Sequence, residues 1–436
     1  MKANHISIRI AVLGLSVLLL LPAGARAQPA ATSPLTLAEA VESARTKQPE
    51  LARARSNTAA AAARVDQAFA PMLPQLSTSA GYTLQTGNAA PRQEALNGKL
   101  SNRFNFAVNA NQLVWDFGGT WYRYKAAGAT LESTQQNEAT QLSVSVLSVR
   151  AAFFQARASR ALVKVAEENL ASQQRHLEQI QGFVKAGTRP EIDLAQVKAD
   201  VANARLQLVN AQNNYAQAKA ELNQAMGVER STDYEVADEQ LPAIEGEEGA
   251  EEGLVEQAVK ARPELRALEK QEVAQGLQIQ STKGSYWPSL GVSTGVSNVG
   301  VNSLDNTGLN WNLGASLSWS FYTGGSTRAQ VRELEAGQSG LEAQVAAQRQ
   351  QVRLDVVKAR LGLVAAKASV EASAQVVENS QLRQVLAEAR YQAGVGSILE
   401  LQDAQVAVTN AQGQAIQSAF NVSLARAQLL RALGRD

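Results

Sequence analysis

At 436 residues with a formal net charge of +1, the chain has no basic excess that would suit nucleic acid as a partner. It has no cysteine, which excludes disulfides, thiolate metal sites and a cysteine nucleophile. Two histidines leave little room for zinc or triad chemistry, and 5% aromatics with abundant alanine favour long, closely packed helices over a thick globular core.

Residues 1–27 start with Lys2 and Arg9, pass through an apolar run from Ala11 to Leu21, and end on Ala25-Arg26-Ala27. This is the pattern of a secretory signal with an A-x-A cleavage site. The run is too short to cross about 30 Å of hydrocarbon, which takes roughly 20 helical residues. No later segment holds about 18 consecutive apolar residues. An exported chain of this composition that enters a membrane must therefore do so with strands.

Residues 28–237 read as one unit. Thr36 to Thr46 predicts a short amphipathic helix, capped by Thr36 or Ser33. Pro49-Glu50-Leu51 opens a second helix, since proline is tolerated in the first turn. It runs to about Phe69 and is stopped by Pro71 and Pro74. Period-two patterning follows. Leu76, Thr78, Ala80, Tyr82 and Leu84 alternate with Ser77, Ser79, Gly81, Thr83 and Gln85. After a polar loop from Thr86 to Asn102, Phe104, Phe106, Val108 and Ala110 alternate with Asn105, Ala107, Asn109 and Asn111. Greasy and polar faces of this kind predict strands at about 75–86 and 103–117. The parity flips after Asn111 to Leu113, Trp115 and Phe117, which marks a bulge or the end of the strand. From about 120 to 185 there is no proline, and apolar residues recur at three and four, predicting one helix about 98 Å long. His176, mid-helix among charged neighbours, is read as a surface residue. A turn at Lys185-Ala186-Gly187-Thr188-Arg189-Pro190 leads into a helix at about 191–226.

Residues 238–253 are acidic and interrupted by glycine. No ligand spacing emerges, so a solvated linker is the preferred reading over a cation site. Residues 254–436 then restate the first unit. Leu254 to Ala261 is the short helix, and Pro263-Glu264-Leu265 repeats Pro49-Glu50-Leu51. Strands are predicted at about 289–297 and 309–321, around a polar loop from Asn298 to Gly308. Helices follow at about 326–391 and 397–433, joined by the turn Tyr391 to Ser397. The Ala-Gly turns recur at an offset of 207 residues, Gly187 against Gly394, and Gly118-Gly119 recurs as Gly324-Gly325 after a second Trp-x-Phe. The chain is thus an internal tandem repeat of helix, two strands, long helix, turn and helix.

Four strands with polar and apolar faces cannot close a barrel, and open edges are not tolerated in lipid. Closure needs several copies, and three would supply twelve strands. Trp115, Trp121, Tyr122, Tyr124, Trp287, Trp319 and Tyr322 at the strand ends fit an interfacial belt, or else the core of a water-soluble sandwich. The short and medium helices, stacked end to end, match the long helix in length and could run antiparallel beside it.

The doubled Pro-Glu-Leu, the doubled Pro-x-Leu strand starts, the doubled Gly-Gly after Trp-x-Phe and the doubled Ala-Gly turns resemble the TolC family of outer-membrane channel proteins, over essentially the whole mature chain. The resemblance implies a mixed α/β membrane protein of the cell outer membrane, a homotrimer with a twelve-stranded β-barrel in lipid and a long antiparallel α-helical barrel in the periplasm. It implies no cofactor and no enzyme activity. It implies a passive exit duct of a tripartite efflux pump or type I secretion system, opened when an inner-membrane transporter and a periplasmic adaptor dock. By position, Glu400 and Asp403 match the family's acidic entrance ring, at a spacing that shares one helix face; both also suit a helix N-terminus as ordinary first-turn acids. Tyr391 and Asp193 match two parts of the family's gate latch. The basic position of the second turn is Gly396 here, a departure for which Arg189 in the first turn could compensate. Adaptor docking is expected around Gly187 and Gly394, where glycine lets a partner approach the backbone.

The rival reading is a periplasmic coiled-coil adaptor or scaffold with a small β-domain. An enzyme is more distant, since no nucleophile–base pair, metal cluster or phosphate loop is visible.

Overall fold

The computed structural model describes residues 34–86, 100–301 and 307–435. The expected signal segment 1–27 and parts of both polar loops lie outside the described residues. The elements in chain order are helices α1 (Leu37–Lys47) and α2 (Pro49–Phe69), strands β1 (Gln75–Thr86) and β2 (Leu100–Trp115), and helices α3 (Gly119–Lys185) and α4 (Glu191–Met226). There follow α5 (Glu251–Ala261), α6 (Pro263–Gly284), β3 (Ser289–Val301), β4 (Thr307–Ser318), α7 (Ser326–Gln392) and α8 (Ile398–Ala432).

Local chemistry sets these boundaries. Thr36 closes a capping box with Glu39 at the start of α1. Pro49 and Pro263 sit in the first turn of α2 and α6, where the missing N–H would have had no partner. At the entry to α3, Asp116 Oδ2 accepts from Thr120 N at 2.6 Å and from Thr120 Oγ1 at 2.5 Å. Both α3 and α7 are 67 residues long, about 100 Å each at 1.5 Å per residue.

The strands form one antiparallel sheet in the order β1-β2-β3-β4. Paired residues share a face. Ser77, Asn109, Gly295 and Asn312 line up across one face, and Ala80, Phe106 and Asn298 across the other. Small residues set the sheet's close contacts: a Cβ on Gly295 would collide with Asn109 Oδ1. The register between β2 and β3 shifts between Leu113 and Trp115, where the side-chain parity flips. β4 ends at Ser318, short of the expected 321, because its last partner, Ser289, is the first residue of β3. Trp319 lies past the ladder and donates its indole N–H to Tyr286 O at 3.1 Å.

The helices run away from the sheet. Near the sheet α3 packs on α6, with Ser281 Oγ donating to Gly119 O at 2.7 Å. A Cβ on Gly284 would meet Gly119 Cα at 2.9 Å, so this crossing needs glycine. Midway, Phe153 and Phe154 anchor an apolar core shared with α1, α4 and the 234–241 segment. A second core joins α5, α7 and α8 around Val352, Val356 and Leu429. A third, small core lies at the far end, beside the two hairpin turns.

The acidic stretch 238–253 is exposed over most of its length, but it is pinned to the helices at three buried residues. Glu251 already belongs to α5, and Leu241, Ile244 and Glu247 are buried. Glu247 accepts the Ile244 N–H at 3.0 Å and pairs with Lys367 at 2.6 Å and Arg426 at 3.4 Å. Burial works against the Glu247 carboxylate, yet Lys367, the Ile244 N–H and Arg426 together hold its pKa below the usual carboxylate range. The segment is strapped across α7 and α8 by this cluster.

Candidate functional site

The chemistry that distinguishes the far end begins with the two turns. Gly187 (φ 73°) and Gly394 (φ 77°) each follow a long helix in the left-handed conformation. Thr188 N donates to Phe183 O and Gly187 N to Val184 O, both at 3.0 Å. Val395 N to Arg390 O and Gly394 N to Tyr391 O, at 3.0 and 3.1 Å, repeat that pattern. These are Schellman closures, which take glycine because the φ is positive. Open space surrounds both glycines, so their backbone is accessible.

Gly396 differs. A Cβ there would meet Tyr391 N at 2.9 Å and Arg390 C at 3.0 Å. The second turn folds back tightly on α7, and a side chain at this position would force the backbone of the turn to shift. Its counterpart at the 207-residue offset is Arg189, and Arg189 lays its guanidinium over the Tyr391 ring, 4.6 Å from the centroid.

Tyr391, in the last turn of α7, is 3% exposed and packs with Ile180 of α3, Val197 of α4 and Leu401 of α8. Burial pushes its phenol above the ordinary tyrosine range; Arg189 pulls it back and the Asp193 carboxylate adds to the rise. Its hydroxyl is buried with no hydrogen-bond partner. Asp193, in the first turn of α4, therefore acts on Tyr391 through its charge and not through a direct bond.

Contrary to the surface position expected for it, His176 is buried, 5% exposed, and stands edge-on to Tyr391, with ring centroids 5.7 Å apart. It shares a buried stripe with Gln173 and Ile180 on α3. The three- and four-residue spacing of 173, 176 and 180 was the available signal, masked by the charged residues beside it. Burial lowers its pKa; a Gln179 hydrogen bond and the Glu388 and Asp200 carboxylates oppose that shift. Its Nε2 is buried and unpaired.

Two polar cross-links that sequence reasoning missed tie the first hairpin to α8. Gln173 Nε2 donates to Gln405 Oε1 at 3.0 Å in a buried position. Gln402 Nε2 donates to Asp200 Oδ2 at 2.5 Å. Burial raises the Asp200 pKa, with the Gln402 and Gln196 bonds opposing. Polar pairs between helices distant in sequence leave no local pattern, so nothing in the sequence marks them.

Glu400 and Asp403 sit in the first turns of α8. Ser397 caps that helix through the Glu400 N–H at 3.1 Å. The Glu400 carboxylate pairs with Arg390 Nε at 3.3 Å, with its side chain 41% exposed, while Asp403 is exposed. Among the described residues no cluster of His, Asp and Glu could hold a metal ion.

At the opposite end, aromatic side chains mark the junction of sheet and helices. Phe117 stacks on Trp287 with centroids 5.3 Å apart, and Trp115, Trp121, Trp319, Phe321 and Tyr322 are exposed. The apolar sheet face, with Leu76, Phe106, Trp311 and Leu313, is exposed as well. Among the described residues no helix is long and apolar enough to cross a membrane.

A two-faced antiparallel sheet set on helices about 100 Å long is the architecture of an outer-membrane channel. The outer membrane channel CmeC of Campylobacter jejuni has the same fold, with a TM-score of 0.81 over 91% of this chain and 85% of that chain at 15% identity. The family model described as outer membrane efflux protein matches residues 40–228 and 254–435, and the chain belongs to that family. It is 25% identical over 407 residues to the outer membrane protein TolC of Vibrio cholerae, covering 91% of this chain and 90% of that protein. It is 25% identical over 374 residues to the protein CyaE of Bordetella pertussis, covering 85% and 78%. The protein is thus an outer-membrane efflux channel that extends into the periplasm, in a family of transport proteins and not of enzymes.

Proposed function

We propose that three copies of this tandem-repeat chain close a twelve-stranded barrel and form the passive exit duct of a tripartite pump or type I secretion system. The observation that carries this reading is the sheet. Its order leaves β1 and β4 as edges, and its apolar face is exposed, so a single chain in lipid would hold unpaired backbone groups in hydrocarbon. Sister subunits supply the missing partners.

The hairpin ends form the periplasmic entrance. Arg189 and Tyr391 act as its latch, with Asp193 tuning the charge around the phenol. Glu400 and Asp403, in three copies, give the entrance six carboxylates that favour cations. A periplasmic adaptor docks at Gly187 and Gly394, where the turn backbone is open, and an inner-membrane transporter supplies the energy. The latch has moved from one turn to the other: Gly396 carries no side chain, and Arg189 delivers the cation from the first hairpin.

The test is extraction and reconstitution. The protein should leave membranes only with detergent, migrate as a heat-modifiable trimer, and conduct as single channels in planar bilayers. Cross-linking in cells should capture an adaptor at cysteines placed next to Gly187 and Gly394. A folded monomer in detergent-free buffer would end the proposal.

A further inference from the structure

Arg103 is the only charged residue in the four strands. It lies on the polar face of β2, in line with Asn105, Asn109 and Asn111, and opposite Thr83 of β1. The register is regular from Arg103 to Leu113, so its face is fixed by strand alternation. It is exposed and makes no ion pair among the described residues. Twelve residues separate it from Trp115 at the helix end of β2, which is about 40 Å along the strand. A tilt of about 40° makes that roughly 30 Å along the barrel axis, the full thickness of the hydrocarbon. Arg103 therefore stands at the outer mouth, at the opposite end of the molecule from Glu400 and Asp403. The neighbouring loop sequences carry Arg92, Glu94, Lys99 and Asp305, whose charges balance.

We infer that Arg103 is a second selectivity element of this duct: in three copies it rings the outer mouth with guanidinium groups that favour anionic solutes and repel cations. The inference rests on the trimeric-duct reading above. Among the described residues the surrounding strand wall is neutral, built of Asn, Ser, Thr, Gly, Ala and Val, and it holds no carboxylate to offset the ring. In 0.1 M salt a fixed charge acts over about 10 Å, and in 1 M over about 3 Å. Rings of fixed charge set ion preference in pores of this kind. The two ends of the duct then carry opposite signs. A cationic solute approaching from outside meets a barrier at the mouth, while an anion leaving the duct meets favourable charge there.

The experiment is reversal potential across a potassium chloride gradient, using the full-length trimer in planar bilayers. Arg103→Gln should raise the cation-to-anion permeability ratio about twofold near 0.1 M salt, and Arg103→Glu about fourfold, with the differences collapsing near 1 M. Arg103→Lys, which keeps the charge, should match the wild type. Heat-modifiable trimer migration identifies variants that fail to assemble. An Arg103→Glu trimer that conducts with an unchanged reversal potential at 0.1 M overturns the inference and leaves the duct reading standing. A wild-type trimer with no conductance overturns the duct reading itself, and the inference with it.

Discussion

The guanidinium of Arg189, in the first hairpin's turn, lies 4.6 Å from the centroid of the Tyr391 ring at the end of the second hairpin's long helix. A contact of this kind is worth about 0.5–2 kcal/mol depending on desolvation. Arg189→Ala should therefore raise the open probability of the entrance several-fold, read as single-channel conductance. Tyr391→Ala should do more, since it also empties a buried site, at about 3–5 kcal/mol. Tyr391→Phe should hold the entrance shut as well as the wild type or better, because the hydroxyl it removes is buried and unpaired. A Phe variant as leaky as the Ala variant would assign the hydroxyl a bond that this geometry lacks.

The burial of His176 predicts a pH dependence for the packed hairpin ends. Its pKa is lowered in the packed state from the ordinary 6.5, mainly by burial, and returns toward that value if the helices part and hydrate it. Proton uptake thus favours the parted state. The packed entrance should be fully stable above about pH 6.5 and weaken as the pH falls below it. The groups facing His176 are Tyr391 and Glu388 of α7, Asp200 of α4 and Gln179 on its own helix. The two carboxylates moderate the shift without reversing it. Conductance compared at pH 7.5 and 5.5 should rise on acidification in the wild type and stay flat in His176→Phe. An equal rise in both proteins would assign the effect to other groups.

Gly396 should resist the substitution that its place in the second turn invites. Gly396→Arg puts a Cβ within 3.0 Å of both Tyr391 N and Arg390 C, so the turn must open. Hydrogen exchange at residues 388–400 should speed up by an order of magnitude or more, whereas Gly187→Ala, in open space at φ 73°, costs roughly 1 kcal/mol of backbone strain. Protection in Gly396→Arg equal to the wild type would mean that the second turn accommodates a side chain after all.

Neutralising Glu400 and Asp403 together should lower cation preference without unfolding the entrance. The Arg390–Glu400 pair is about half exposed, and such pairs contribute at most about 1 kcal/mol. Glu400→Gln with Asp403→Asn should keep the melting temperature of the trimer within a few degrees while shifting the reversal potential toward anions. Unchanged selectivity would reject these carboxylates as a filter.

Much of this architecture is written locally. Strict alternation from Leu309 to Leu317 on β4 marks a two-faced strand, and Pro263-Glu264 marks a helix start, because strand pleat and helix first turn impose short-range rules. The turns are legible for the same reason, since the positive φ at Gly187 and Gly394 calls for glycine. What escapes is decided by helices meeting far apart in sequence. His176 looks solvated among Arg175 and Glu178, but α3 is flanked there by α4, α7 and α8, so a stripe that would face water on a lone helix is enclosed. Glu247 looks like one acid in a solvated run until Lys367 and Arg426, more than a hundred residues away, converge on it. The reach of Arg189 to Tyr391 depends on how two hairpins align, which no window of sequence contains.

The sheet order β1-β2-β3-β4, antiparallel throughout, leaves first and last strands that point in opposite directions. The last strand of one copy therefore meets the first strand of the next with the correct antiparallel sense, and every seam in the proposed threefold ring is the same seam. A copy with a spoiled β1 still offers a sound β4, so it is recruited by healthy siblings and blocks the final join. In a cell making equal amounts of sound and spoiled chain, roughly one ring in eight would be intact. Damage at that edge is therefore inherited by the assembly and not only by the defective chain, which makes such mutants dominant poisons of export.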